Sequence, residues 1–209
     1  TSHITNGSLE TISNLPLITD ISMYLLFKRK PAQPQHLYVN DSELGYRLNP
    51  GFSGNVETKA GNYKVNINSD GFRDKEWPAA STNSILFLGD SFTYGMPLER
   101  EQTFVSKLSK RFPKLKIYNL GVPGYGPIHA NINLDRYCQR LKPSRIFYMY
   151  YLNDTAIDNV QADYYTVIDG FLTKRYNSKL EVLDEQVLQE HIKSAKAIKF
   201  ERPWNALEW

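Results

Sequence analysis

Ser91 lies in the stretch SILFLGDSFTYG (Ser84–Gly95), where an apolar run stops at Gly-Asp-Ser and gives way to a polar, aromatic turn. A serine at a strand-to-helix turn exposes its hydroxyl and can act as a nucleophile. A helix that starts there favours negative charge developing at its N-terminus. Two later stretches complete a set: NLGVPGYG (119–126) supplies Asn119, Gly121, Gly124 and Gly126, and YLND (151–154) supplies Asn153 and Asp154. Attack on an acyl group creates an oxyanion that needs two or three hydrogen-bond donors. The Ser91 N–H, a glycine N–H from the second stretch and the Asn153 side-chain amide are the candidates. Glycine suits the second place because it lets the backbone approach closely and tolerates positive φ. Each stretch alone has an ordinary explanation as a helix cap or tight turn. Order and spacing carry the reading: Gly124 lies 33 residues after Ser91 and Asn153 a further 29, each interval about one strand–helix unit.

The elements needed to position these residues are legible around them. SILFLG (84–89) is a continuous apolar run, as in a strand buried on both faces of a parallel sheet. EQTFVSKLSKRF (101–112) places Phe104, Leu108 and Phe112 at helical spacing before Pro113. LKIYNLG (115–121) predicts a second strand. IHANINLDRYCQRL (128–141) predicts a helix with Ile128, Ile132, Leu134, Cys138 and Leu141 near one face, and RIFYMYYL (145–152) a third strand rich in aromatic residues. This alternation is a βαβαβ unit and implies a parallel sheet. In such sheets functional groups gather beyond the carboxyl ends of the strands, where all three stretches fall.

Upstream the pattern differs. Residues 36–74 alternate turn signals (Asn49-Pro50-Gly51, Gly61-Asn62, Asp70-Gly71) with short runs such as NYKVNI, which predicts short strands and tight turns. The segment is too small to stand alone and should pack on the α/β unit C-terminal to it. Residues 15–30 predict a short helix ended by Pro31, and PAQPQ (31–35) a linker. Beyond the third strand, DYYTVIDGFLTKRY predicts a hairpin around Asp169-Gly170, and 179–200 an amphipathic helix through Leu180, Leu183, Val187, Leu188, Ile192 and Ala195. The resulting division is 1–35 as N-terminal segment and linker, 36–80 as strand-rich extension, and 81–209 as an α/β domain.

Composition excludes several classes. The 209 residues carry 25 basic and 22 acidic side chains, a net charge of +3, too mild to imply nucleic acid or an anionic membrane as partner. FKRK (27–30) is short and reads as the solvated end of an element. No apolar run approaches the roughly 18 residues of a membrane span; LPLITDISMYLLF (15–27) is interrupted by Pro16 and Asp20 and reads as a packed or interfacial helix. The single cysteine, Cys138, precludes an internal disulfide or a cysteine metal motif and reads as a packing residue. No cofactor is expected: GVPGYG has the wrong glycine order for a dinucleotide site, and no phosphate-loop sequence occurs. The chain begins at Thr1 rather than Met, as after processing, trimming or tagging, which leaves room for an upstream signal or anchor.

LFLGDSFTYG, YNLGVPGYG and YLND resemble the first three sequence blocks of the SGNH, or GDSL, hydrolase superfamily. DSELGYRLNPGFSG and VNINSDGFRD resemble the strand-rich leader of a bacterial subgroup associated with envelope polysaccharide, so the resemblance covers about residues 40–160. It implies a flavodoxin-like α/β/α fold with the small strand-rich extension, and ester cleavage. It further implies Ser91 as nucleophile, with Gly124 and Asn153 as oxyanion donors. The implied substrate is an acylated carbohydrate or another small ester, and the implied compartment is periplasmic or otherwise extracytoplasmic. Oligomeric state has no signature in the sequence.

One required part is missing. A serine at its free pKa needs a general base, which this superfamily supplies as Asp-x-x-His. The four histidines are His3, His36, His129 and His191, and none has an aspartate three residues before it. Three explanations stand: a fragment that stops before the block, a member without hydrolase activity, or a base from elsewhere, with His129 or His191 as candidates. His129 also reads as a polar helix-start residue, and His191 as part of a solvated helix face beside Glu190. The alternative function is a catalytically inactive scaffold or an envelope protein associated with polysaccharide O-acylation.

Overall fold

The computed structural model describes residues 34–58, 61–151, 164–175, 182–187 and 189–190. The expected helix at 15–30, the expected helix at 179–200 beyond a few residues, and Asn153, Asp154, His3 and His191 lie outside the described residues. Those described belong to one compact unit, Ala32–Lys193.

The strand-rich leader is two antiparallel hairpins. Strand β1 (Tyr38–Asp41) pairs with β2 (Gly45–Leu48), and β3 (Ser53–Thr58) with β4 (Gly61–Asn66). The first turn is closed by Asp41, whose Oδ1 accepts from the N–H groups of Glu43 and Leu44, each at 3.0 Å. Carboxylates do this readily because the side chain mimics a backbone turn.

The α/β part comes next along the chain. Strand β5 (Ser84–Gly89) runs into a single helical turn, α1 (Ser91–Tyr94). The segment expected as one helix at 101–112 is instead a 3-10 turn at Arg100–Gln102 and helix α2 (Phe104–Arg111). Thr103 separates them: its Oγ1 accepts from Ser106 N–H and so starts α2 afresh. Strand β6 (Lys116–Gly121), helix α3 (Pro127–Leu141) and strand β7 (Pro143–Met149) complete the unit. The three strands form one parallel sheet in the order β6-β5-β7. A last hairpin, β8 (Tyr165–Ile168) and β9 (Phe171–Lys174), turns through Asp169 and Gly170, both at positive φ, as two-residue hairpin turns require. It docks on the leader through Asn40, whose side chain bonds both the N–H and C=O of Val167.

Alternation along β5 assigns the two faces of the sheet. Ile85 and Phe87, with Ile117 of β6, pack under Val105, Phe104 and Leu108 of α2. Leu86 and Leu88, with Tyr118 and Leu120, face the other way and join Ala130 and Leu141 of α3. Leader residues Tyr46, Leu48, Val65, Phe72 and Trp77 belong to this second core. Leader and α/β part therefore share one apolar interior, which is the main stabilising contribution available to either.

Two side-chain assignments differ from expectation. On α3, Ile132, Leu134 and Leu141 face inward as expected, joined by Ala130, Asn133 and Tyr137, while Ile128 faces outward and is exposed. Tyr137 joins the stripe because it packs edge-on against Phe72 and Trp77 of the leader, a surface outside the local pattern. Phe112 ends α2 exposed and is not part of its apolar face.

Arg136 of α3 ties the leader down. Its guanidinium donates two bonds of 2.8 Å to the Asp41 carboxylate and also meets Glu43. These bonds hold the Asp41 carboxyl at about 2, against about 3.9 in an unfolded chain. A depressed carboxylate pKa stabilises the fold above the unfolded value and loses that contribution as pH falls through the folded one. The thermal midpoint should therefore fall between about pH 4 and pH 2, and by less in Arg136→Met, which lacks the bidentate pair. Melting curves of both forms across that range check this; equal losses would place the acid sensitivity elsewhere.

Candidate active site

Ser91 lies just past the central strand of the sheet. Gly89, the last residue of β5, is register partner to Gly121 of β6 on one side and Met149 of β7 on the other. The three strands thus end level, so the chain leaves β5 toward Ser91 and β6 toward Gly124 from the same edge at which β7 ends. Val122 N–H donates to Gly89 C=O at 3.1 Å, fixing the start of the glycine loop two residues from Ser91.

The turn itself shows why a serine is not needed as a cap. Asp90, buried, is the N-cap: its Oδ1 accepts from Phe92 N–H at 2.9 Å. The Ser91 hydroxyl has no hydrogen-bond partner among the described residues and remains half-exposed at the surface. The helix behind it is short. It spans one turn and stops at Gly95, which adopts the left-handed conformation. A single turn sums few peptide dipoles, so stabilisation of an oxyanion here rests on individual N–H donors more than on a macrodipole.

The seam between α1 and β6 is built on small residues and one asparagine. Asn119 Nδ2 donates to Thr93 C=O at 2.9 Å, and its Oδ1 accepts from Gly121 N–H at 2.9 Å. A Cβ at Gly121 would stand 2.4 Å from Tyr94 N and 2.6 Å from the Thr93 carbonyl carbon. Glycine is required because a backbone occupies the space.

Gly124 has φ +81, and a Cβ there would meet the Tyr46 hydroxyl at 2.6 Å. That hydroxyl donates to Pro123 C=O at 2.7 Å, while the Tyr125 hydroxyl donates to Tyr46 C=O at 2.7 Å. The reciprocal pair clamps the glycine loop to β2 of the leader. Asn153 lies outside the described residues. The last described residue before it along the chain is Tyr151, whose ring centroid is 4.4 Å from that of Phe92, beside Ser91.

Sequence reasoning missed the leader residues that hold this edge of the sheet. Arg73, 1% exposed, donates to the carbonyls of Lys64 at 2.9 Å and Leu98 at 2.6 Å, and more weakly to Tyr94 and Gly95. Its guanidinium also lies over the Tyr63 and Tyr94 rings. Burial pulls its pKa down, opposed by Tyr94, Tyr63, Glu99 and Glu101. Asp74 accepts from Asn119 N–H and Trp77 Nε1–H, while burial pushes its carboxyl up. Tyr46, Arg73 and Asp74 sit in stretches whose turns were legible, but no local spacing links them to Ser91.

The histidines fare differently from one another. His129 is buried, stacked on Tyr125 at 4.4 Å, and its Nδ1 accepts from Gly126 N–H at 3.2 Å. The polar helix-start role is therefore the one the structure displays. That bond assigns the neutral ring's proton to Nε2 and engages the lone pair a base would use. His36 packs against the β8–β9 turn, its N–H bonded to Gly170 C=O at 2.7 Å. Among the described residues no cluster of His, Cys, Asp or Glu could hold a metal ion, and no helix is long and apolar enough to cross a membrane. Comparison with protein-family models, with curated proteins and with solved structures gave no match.

Proposed function

We propose that the chain is a serine esterase or acyl-transfer domain of the SGNH (GDSL) type, acting on an acylated carbohydrate or another ester. One observation carries the reading: Gly-Asp-Ser ends the central strand of a parallel sheet ordered β6-β5-β7, with its hydroxyl uncommitted among the described residues. This order is how a flavodoxin-like sheet begins, and ligands of such sheets bind beyond the strand ends where the order reverses. Ser91 Oγ attacks the acyl carbon, the carbonyl electron pair moves onto oxygen, and the Ser91 and Gly124 N–H groups with the Asn153 amide receive the negative charge. The Oγ proton must pass to a base. The engagement of His129 Nδ1 by Gly126 favours a second reading, an inactive scaffold of the same fold.

A fluorophosphonate separates the two. The esterase reading expects slow phosphonylation confined to Ser91, mapped by peptide mass spectrometry and absent from Ser91→Ala. Turnover of p-nitrophenyl acetate should be weak and barely altered by Ser91→Ala, because loss of the base leaves only the small residual catalysis of donors and binding, about 1,000- to 10,000-fold over water in serine hydrolases. No adduct on Ser91 establishes the scaffold. Brisk turnover abolished by Ser91→Ala would show that the chain holds a base, which His129→Ala and His191→Ala would identify.

A further inference from the structure

Two Pro-Gly turns in this chain hold their central peptide from opposite sides. Residues 49–52 and 122–125 are each closed by a bond from the fourth N–H to the first C=O, at 3.1 Å in both. Their glycines, Gly51 and Gly124, have φ +74 and +81. Positive φ at the third residue marks a type II turn; a type I turn has about −90° there. The two types differ by a flip of the peptide between the second and third residues, and proline at the second suits either. In the first turn the orientation is held from the N–H side: Gly51 N–H donates to Ile67 C=O at 3.1 Å. In the second it is held from the C=O side: Pro123 C=O accepts from the Tyr46 hydroxyl at 2.7 Å. Gly124, only partly buried, has no acceptor for its N–H among the described residues.

We infer that Tyr46 is a positioning residue of the candidate active site, its hydroxyl fixing the Pro123–Gly124 peptide so that Gly124 N–H stays free to receive an oxyanion. This role rests on the esterase reading, in which Gly124 is a donor. In a trans peptide the N–H points opposite to the C=O. A bond that draws Pro123 C=O toward the leader therefore aims Gly124 N–H away from it. The ends of the turn are anchored independently. Val122 N–H donates to Gly89 C=O at the end of β5, and the Tyr125 hydroxyl donates to Tyr46 C=O at 2.7 Å. Those bonds leave the central flip undetermined, and the Tyr46 hydroxyl decides it. Tyr46 suits the task because it is itself held. It is fully buried, with the rings of Tyr38, Tyr125 and Tyr165 edge-on at 5.5, 5.4 and 5.8 Å. Its bond also polarises the peptide and strengthens the N–H as a donor. Oxyanion donors act by being in place before charge develops. A flipped peptide would present a carbonyl oxygen there, which repels the oxyanion.

Tyr46→Phe keeps the ring and removes the bond. Phosphonylation of Ser91 by a fluorophosphonate should slow about three- to tenfold in this variant, the factor for one hydrogen bond, against about 100- to 1,000-fold when a donor is deleted outright. Tyr137→Phe removes a comparable hydroxyl bond, from α3 to Asp70 C=O in the leader, and should label at the unsubstituted rate. Labelling proline carbonyls with ¹³C and glycine nitrogens with ¹⁵N singles out the chain's two Pro-Gly peptides for magnetic resonance. In the unsubstituted chain Gly124 N–H should exchange with solvent deuterium faster than Gly51 N–H. In Tyr46→Phe the close contact of Pro123 Hα with Gly124 H–N, which type II geometry creates, should weaken while that of Pro50 with Gly51 stays. Unchanged labelling of Tyr46→Phe, or equal slowing in Tyr137→Phe, would overturn the role and leave the esterase reading standing. No adduct on Ser91 of the unsubstituted chain would overturn that reading and this role with it. Should Tyr46→Phe fail to fold, the exchange rates of the unsubstituted chain decide: a protected Gly124 N–H overturns the role, a rapidly exchanging one supports it.

Discussion

Arg73→Met and Arg73→Lys will each lower the thermal midpoint by about 6–12 °C, the shift expected for roughly 3 kcal/mol in a chain of this size. The guanidinium reaches Lys64 C=O in β4 and Leu98 C=O beyond α1 with short bonds, and is sealed between Tyr63 and Tyr94. Methionine fills the volume and removes a buried charge, which favours the variant. It also leaves buried carbonyls without donors, at about 1–3 kcal/mol each, and two such losses outweigh the gain. Lysine keeps the charge but is a point donor with no planar fork, so it cannot serve carbonyls on two separate segments. It should be at least as destabilising as methionine. Denaturation of the three forms at one pH checks this ordering. A lysine variant close to the unsubstituted chain would mean that charge, and not the fork, is what the site needs.

Gly121→Val will cost about 3 kcal/mol or more, beyond the usual range for an overpacked core, and will suppress phosphonylation of Ser91 even at temperatures where the protein stays folded. The obstacle is main chain. A Cβ meets Tyr94 N and the Thr93 carbonyl carbon at under 3 Å, so the α1 turn must move away from β6. That movement breaks the bond from Asn119 Nδ2 to Thr93 C=O and shifts the turn that begins with Ser91. Gly121→Ala should show the same effects in smaller measure, about 1–3 kcal/mol. Melting curves with adduct yields on Ser91 give both readouts. A folded Gly121→Val labelled at the unsubstituted rate would show that the seam does not position the serine.

Both effects arise from the leader and the sheet acting together. Arg73 holds the chain after α1, Tyr46 and Tyr125 hold the Gly124 loop, and Asp74 holds β6 at the residue that bonds α1. Binding sites work when the groups that touch substrate are fixed by a surrounding shell. Here most of that shell, Tyr46, Arg73 and Asp74, comes from the leader, sequence-distant from Ser91.

What the sequence determined by itself was whatever depends on neighbours along the chain. The apolar run 84–89, the periodicity of 128–141 and the Asp169-Gly170 turn each report a local period or a backbone conformation, and each forms the expected element. The Gly-Asp-Ser stretch likewise announced a strand-to-turn junction with an exposed hydroxyl. Tertiary structure alone decided which side chain does which task. Tyr137 joins the inward stripe of α3 because Phe72 and Trp77 offer a surface that the local pattern omits. His129 spends its Nδ1 on Gly126 because the ring is buried beside that N–H. Arg73 is an interior clamp although arginine ordinarily marks a surface, because four carbonyls from separate segments converge where it lies. Period and turn chemistry are properties of a few consecutive residues. Partner choice for a buried polar group depends on segments that meet only when the sheet closes, and no spacing along the chain encodes that meeting.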